Sequence, residues 1–387
     1  MLYEKERHTK IKNIAWSEEI AWEKINNIFE ETISSFKRKK FWKTHPDEDN
    51  KREFLKTLYY GASGTLWGLI QISEVLNREL PFDCKKIIID ITDAYLDEPD
   101  TNEVIPSYFV GIVGILAIRY KITPDEKTRN LISDYISKNT TNPANEAYIG
   151  NAGTILASLF LYDWERDDHW KELFLENANY LFNEWQQDKD GKWIWVQDLY
   201  GKKRKLIGAA HGFFGNVFPL LKGMDLLSEK QRKLLIERTI YTTLDSVEED
   251  INYANWPDKF TSEDRKMRVQ WCHGAPSAIV SLSPFPIGYS DEIESILLKA
   301  GELIWESGPL LKGVGICHGT DGNGYSFLKL HDRSGDKKWL ERARSFAMHS
   351  IYQSNGRHTL WTGDIGLALY LISCIKKNAN FPTLDYL

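Results

Sequence analysis

Two short stretches of this 387-residue chain hold side chains able to do chemistry: Trp271-Cys272-His273-Gly274 and Gly315-Ile316-Cys317-His318-Gly319. Each sets a thiol beside an imidazole and ahead of a glycine. Cysteine and histidine are the preferred ligands of zinc, and three protein ligands leave a fourth position open for chemistry. A closed structural site would need a fourth protein ligand. The two motifs therefore predict a metalloenzyme, provided that they meet in space.

Something must bring them together, and the glycines show what. Gly61/Gly64, Gly111/Gly114, Gly150/Gly153, Gly212/Gly215, Gly274, Gly319/Gly322 and Gly363/Gly366 each precede an apolar run. Their spacing of roughly 40 to 60 residues signals a repeat architecture. The apolar runs, at 66–76, 115–120, 155–162, 217–227, 278–282, 325–330 and 367–375, are hydrophobic nearly all round, which means burial on both sides. Between them lie amphipathic, charged segments at 16–36, 85–96, 125–138, 169–185, 229–247, 291–307 and 337–353. Their apolar residues recur at helical spacing, as in Leu234, Ile236, Ile240 and Leu244.

Each repeat thus predicts one half-exposed outer helix and one buried inner helix. Seven such pairs, closed on themselves, give an all-α fold: an α/α toroid, a double barrel of seven outer and seven inner helices. Closure removes the need for polar capping repeats. The expected organisation is a single domain over 1–387, with a lead-in and first outer helix in 1–60 and seven glycine-junction repeats in 61–387. The stretch 188–196 departs from the pattern and reads as a short hairpin overhanging the ring near the site.

In a toroid all inner helices run the same way, so the glycine junctions gather at one end. The polar junction residues are Glu146, His211, Cys272, His273, Cys317, His318, Asp321 and Asp364. The helix N-terminus that follows each junction carries partial positive charge and favours thiolate over thiol.

Composition excludes other classes. A net charge of -6 argues against a nucleic-acid partner. Lys202-Lys203-Arg204-Lys205 is short and reads as a solvated loop. No stretch approaches the ~20 apolar residues of a membrane span. The polar start Met1-Leu2-Tyr3-Glu4 is no secretory signal. The expected location is the cytoplasm, where structural disulfides are rare. Cys84 and Cys374 lie in apolar segments and are expected to pack. A toroidal carbohydrate-active enzyme would show paired carboxylates at the junctions, and no strong pair stands there.

Ala209-Ala210-His211-Gly212, Trp271-Cys272-His273-Gly274-Ala275-Pro276 and Lys312-Gly313-Val314-Gly315-Ile316-Cys317-His318-Gly319 together resemble the LanC-like (lanthionine synthetase C-like) family. The first of the two cysteine motifs and the tail Phe381-Pro382 resemble the glutathione-associated LanC-like branch more than nisin cyclase. The resemblance implies a fourteen-helix double barrel and zinc bound by Cys272, Cys317 and His318. It also implies a catalytic role for His211 and an anion-binding role for Lys312. Ser277 departs from the family's usual glycine. Glu146 stands nearest the position of the cyclases' catalytic aspartate, as in the LanC-like branch.

The implied chemistry is conjugate addition of a thiol, glutathione or a peptide cysteine, to dehydroalanine or dehydrobutyrine in a peptide or protein. His211 would protonate the resulting enolate, because imidazole titrates near working pH. His273 is the second candidate acid, or else orients a ligand. Arg268 and Lys312 flank the metal motifs and could hold carboxylates of the thiol substrate. Two alternatives stand beside this reading: a cyclase making lanthionine rings in a precursor peptide, and a non-catalytic protein that binds zinc and glutathione.

Overall fold

The computed structural model describes residues 1–46, 48 and 52–387. Among these it contains fourteen α-helices in strict alternation. The outer set is α1 (Glu18–Ser35), α3 (Cys84–Asp97), α5 (Glu126–Asn139), α7 (Asp168–Glu184), α9 (Glu229–Ser246), α11 (Asp291–Ser307) and α13 (Lys337–Ile351). The inner set is α2 (Ala62–Leu76), α4 (Ile112–Ile122), α6 (Asn151–Glu165), α8 (Phe213–Lys222), α10 (Ala275–Ser281), α12 (Thr320–Ser334) and α14 (Asp364–Lys376). Each inner helix packs on the next, and α14 packs back on α2. The fold is the expected all-α toroid.

The two rings start their helices differently. Every outer helix has a Ser or Asp N-cap whose side chain accepts a backbone amide: Ser17, Asp83, Asp125, Asp167, Ser228, Ser290 and Asp336. Such caps satisfy amides that the helix itself leaves orphaned. Every inner helix begins instead on an N-cap glycine, which has no side chain of its own to cap with. In α2, α4, α8, α12 and α14 the first amide donates to a carbonyl seven residues upstream: Ala62 to Leu55, Ile112 to Ile105, Phe213 to Leu206, Thr320 to Gly313 and Asp364 to Arg357. The junction loop therefore folds over the helix end and caps it with its own backbone.

That fold-over explains the glycine pairs. A Cβ on the second glycine would sit 2.0–2.4 Å from the carbonyl oxygen six residues upstream, as Gly114 meets Tyr108 and Gly322 meets Ile316. The inner helices consequently start at the first glycine, about a turn before the apolar runs suggest. The fifth junction is built otherwise. Gly274 has φ +79°, and Asn255 Oδ1 accepts the Ala275 amide at 2.7 Å. Ser277 fits there without a second glycine, and its buried hydroxyl finds no partner among the described residues.

The fourth inner helix stops at Lys222 because Gly223 breaks it; Met224–Leu226 continue as a 3₁₀ turn. Strands β1 (Gln186–Gln187) and β2 (Trp193–Ile194) form the expected hairpin. A second hairpin pairs β3 (Gln197–Leu199) with β4 (Lys202–Arg204), so the basic run is mostly an exposed strand and not a loop. Strands β5 (Glu248–Glu249) and β6 (Ala254–Asn255) make a third.

The C-terminal tail plugs the inner ring. Phe381 packs on Trp271, Tyr325 and Trp361 at 4.7–5.9 Å between ring centroids. The Tyr108 hydroxyl donates to the Thr383 carbonyl, and Lys329 pairs with Asp385 at 2.6 Å.

The loop carbonyls should make the second glycine intolerant of a methyl group. Gly322→Ala is expected to cost about 1–3 kcal/mol, the usual range for overpacking. Ser277→Ala should be neutral or stabilising, because it removes an unsatisfied buried hydroxyl. Urea denaturation of both variants checks this contrast. Equal destabilisation would contradict the packing argument.

Candidate metal centre

Neighbouring junction loops are laced together by hydrogen bonds around the ring. Tyr59 N donates to Phe109 O at 2.9 Å, Tyr148 N to Ala210 O at 3.1 Å, Cys272 N to Cys317 O at 3.3 Å, and Cys317 N to Trp361 O at 3.1 Å. Each bond joins residues at or near one register, two positions before the junction glycine. Around the ring that register reads Tyr59, Phe109, Tyr148, Ala210, Cys272, Cys317 and Trp361. The aromatic members pack on one another, with Tyr59 stacked on Trp361 at 5.4 Å and Tyr148 edge-on to Tyr59 at 5.1 Å. The two thiols are thus adjacent by construction.

One atom each of Cys272, Cys317 and His318 lies within 4.8 Å of the others. Both cysteines are buried, and all four cysteines of the chain are free. A hydrogen bond with Cys317 is the main influence holding the Cys272 thiol down to about 7; burial opposes it, and Gln270, His211 and Arg268 add to it. Cys317 goes the other way: burial, then its bond with Cys272 and that neighbour's charge, push it well up, against Tyr59 and Lys312. The pair gives up one proton readily and the second only when a cation compensates. Burial first, then the charges of Lys312, Arg357 and Arg7, depress His318 to about 3. Its imidazole is therefore neutral, the form that ligates metals. Two buried thiols and a neutral imidazole are a donor set suited to zinc.

The structure brings a second group beside this one. Glu146 is fully buried at the third junction. Its carboxylate accepts the amides of Tyr148, Ile149 and Gly150, so it pins the loop that leads into α6. Its Oε2 also lies 2.9 Å from His211 Nδ1. Burial lowers the affinity of His211 for its proton, but the charge and hydrogen bond of Glu146, with the charge of Cys272, outweigh that and raise it. A third of the His211 side chain stays open (34 %).

His273 is placed differently. Burial first, then Arg268, His211, Arg7 and His318, hold it down to about 3. Its buried Nδ1 has no hydrogen-bond partner among the described residues. Burial lowers the proton affinity of Lys312; the charges of Cys317 and Cys272 oppose that without overcoming it. Arg268 acts on Cys272 and His273 through its charge. Asp321 and Asp364 hold junction loops, accepting the amides of Gly315 and Gly356.

Several neighbours carried no metal-ligand or acid–base signal in the sequence. Tyr59 bonds to Cys317, and Tyr148 stands edge-on to His211 with 5.0 Å between ring centroids. Alignment on the junction glycines would have placed both at the cysteine register. Gln270 donates to Cys272 Sγ at 2.9 Å. Arg7 belongs to no repeat, and no periodicity could have found it. The hairpins β1–β2 and β3–β4 border a cleft of about 1020 Å³. It reaches Asn145, next to Glu146, and contains none of the three ligand-type residues.

A ring of seven helix pairs with a Cys–Cys–His group on its rim defines a toroidal protein able to hold a metal at its helix junctions. The chain belongs to the lanthionine synthetase C-like protein family, whose pattern it matches over residues 53–385. It is 33% identical over 178 residues to glutathione S-transferase LANCL1 of Danio rerio, covering 46% of this chain and 41% of that protein. It is 33% identical over 144 residues to LanC-like protein GCL1 of Arabidopsis thaliana, covering 37% and 32%. The matched part therefore spans less than half the length of either relative. Among solved structures, nisin cyclase superposes with a TM-score of 0.65 at 16% identity, over 93% of this chain and 96% of that one, a likeness of fold.

The Glu146–His211 pair makes a prediction with a definite sign. His211 holds its proton more tightly folded than unfolded, where 6.5 is the reference value. The pair's contribution to stability is then full below pH 6.5 and lost as pH rises through the raised value. In Glu146→Gln the NMR titration of His211 should move to lower pH, and the stability gap to wild type should narrow above the wild-type midpoint. An unmoved titration would contradict the coupling.

Proposed function

We propose that this protein adds a thiol across the double bond of dehydroalanine or dehydrobutyrine residues in a peptide or protein, with glutathione as the thiol. The observation that carries the reading is the meeting of two chemistries on one rim: the Cys272–Cys317–His318 group and the Glu146–His211 pair, coupled by charge to Cys272. The relative named as a glutathione S-transferase supports the choice of thiol.

Cys272, Cys317 and His318 would hold zinc, which when bound supplies a Lewis acid that makes a coordinated thiol a thiolate at neutral pH. The chain's own residues account for the rest. Lys312 and Arg268 provide positive charge at the metal group that suits the carboxylates of glutathione. The thiolate sulfur bonds to the β-carbon of the dehydroamino acid, and the double-bond electrons move toward the carbonyl as an enolate. His211, whose hold on its proton Glu146 strengthens, gives a proton to the α-carbon, and the proton released by the thiol restores it. His273 stays neutral at working pH and so suits orientation better than proton donation. The reduced thiols fit a cytoplasmic setting.

Two measurements test this. Purified protein should contain one zinc, and Cys272→Ala or Cys317→Ala should lose it; full metal in both variants would refute the ligand set. Incubation with a dehydroalanine peptide and glutathione should yield the peptide–glutathione thioether by mass spectrometry. His211→Ala should lower kcat about a hundred- to ten-thousand-fold, the usual share of general acid catalysis, with metal retained. No mass gain with any peptide and thiol would favour a binding role, and ring closure within a cysteine-bearing peptide would favour a cyclase.

A further inference from the structure

The N-terminal segment is tied to both thiol-bearing loops. On one side, Leu2 O accepts from Asn255 Nδ2 at 2.7 Å, and the same Asn255 caps α10. Arg7 Nη2 donates to Gln270 Oε1 at 2.7 Å, and Gln270 Nε2 donates to Cys272 Sγ at 2.9 Å. On the other side, Thr9 N donates to Pro309 O and Leu311 N to Arg7 O, both at 2.9 Å. One strap thus grips the loop that leads to Cys272 and the loop that leads to Cys317. It lies outside the residues that match the family.

We infer that Gln270, oriented by Arg7, is a positioning residue for the Cys272 sulfur, and that the strap is thereby part of the metal centre. The inference rests on the metal reading given above. A glutamine amide has one donor end and one acceptor end. Arg7 can only donate, so it claims Oε1 and turns the NH₂ toward the sulfur. Gln270 is buried, and its backbone exchanges two hydrogen bonds with His273, at 2.8 and 3.1 Å, so the side chain starts from a fixed turn. An N–H bond to a thiolate stabilises its charge, fixes its direction and draws electron density from it. Without the donor the sulfur donates more strongly but points less surely. Groups that orient a metal ligand from behind are typically worth about 10–100-fold in metal affinity.

The test uses the full chain loaded with cobalt(II), whose sulfur-to-metal charge-transfer band reports on each thiolate. Gln270→Leu should move the band to longer wavelength and weaken zinc binding about 10–100-fold in chelator competition. Arg7→Met, which keeps the stem but lets the amide turn over, should shift both in the same direction by less. An unmoved band with unchanged affinity in Gln270→Leu overturns the inference. A shift in Gln270→Leu with none in Arg7→Met overturns the strap's part in it. If Gln270→Leu does not fold, as judged by melting of the metal-free protein, Arg7→Met decides alone, and no change there overturns the inference. A wild-type protein with no such band refutes the metal reading instead, so the two failures are distinguishable.

Discussion

The structure depends on one contact: the carbonyls of each junction loop, folded over the N-terminus of the inner helix that follows. Backbone amides at that end have no partner within the helix. In five of the inner helices the first amide reaches the loop carbonyl seven residues back. The loop passes so close that the helix start must be glycine. Once the loop is pinned, the residues just before the glycine have no freedom of register. They point to the same rim in every repeat, and closure of the ring makes neighbours of them. Cys272 and Cys317 meet for the same reason that Tyr59 stacks on Trp361.

The rim also sets the charge state of what it displays. Two thiols held together share their protons unequally, so one ionises early and the other resists. Burial and the surrounding guanidinium and ammonium groups keep His318 neutral. Across the rim, a buried carboxylate does the reverse for His211. Glu146 itself pins the junction loop before α6, accepting the amides of Ile149 and Gly150. A donor set able to hold a cation and an imidazole with a raised hold on its proton are thus products of one architectural rule, with different residues just before the junction glycines.

Much of this was legible in the sequence. Glycine recurrence gave the seven pairs and the closed ring, because close backbone approach leaves no alternative residue. The Cys-His-Gly motifs marked a group able to hold a metal, because both residue types are preferred zinc ligands. The starts of the inner helices were read about a turn late, since apolar content marks burial and not capping. The basic run reads as a loop from sequence, because short exposed strands such as β4 carry no hydrophobic alternation. Tyr59 and Tyr148 occupy the same register as the cysteines, but an aromatic side chain carries no ligand signal. Arg7 and Gln270 were beyond reach, since contacts between a non-repeating strap and the ring are set only by the tertiary fold.

The central claim is that two adjacent junctions build an open, three-ligand metal centre. X-ray absorption at the zinc edge of the purified protein tests it most directly. The account predicts two sulfurs and one imidazole nitrogen from the protein, with a fourth, light-atom neighbour. A shell saturated by four sulfur and imidazole ligands, or one without two sulfurs, would contradict it.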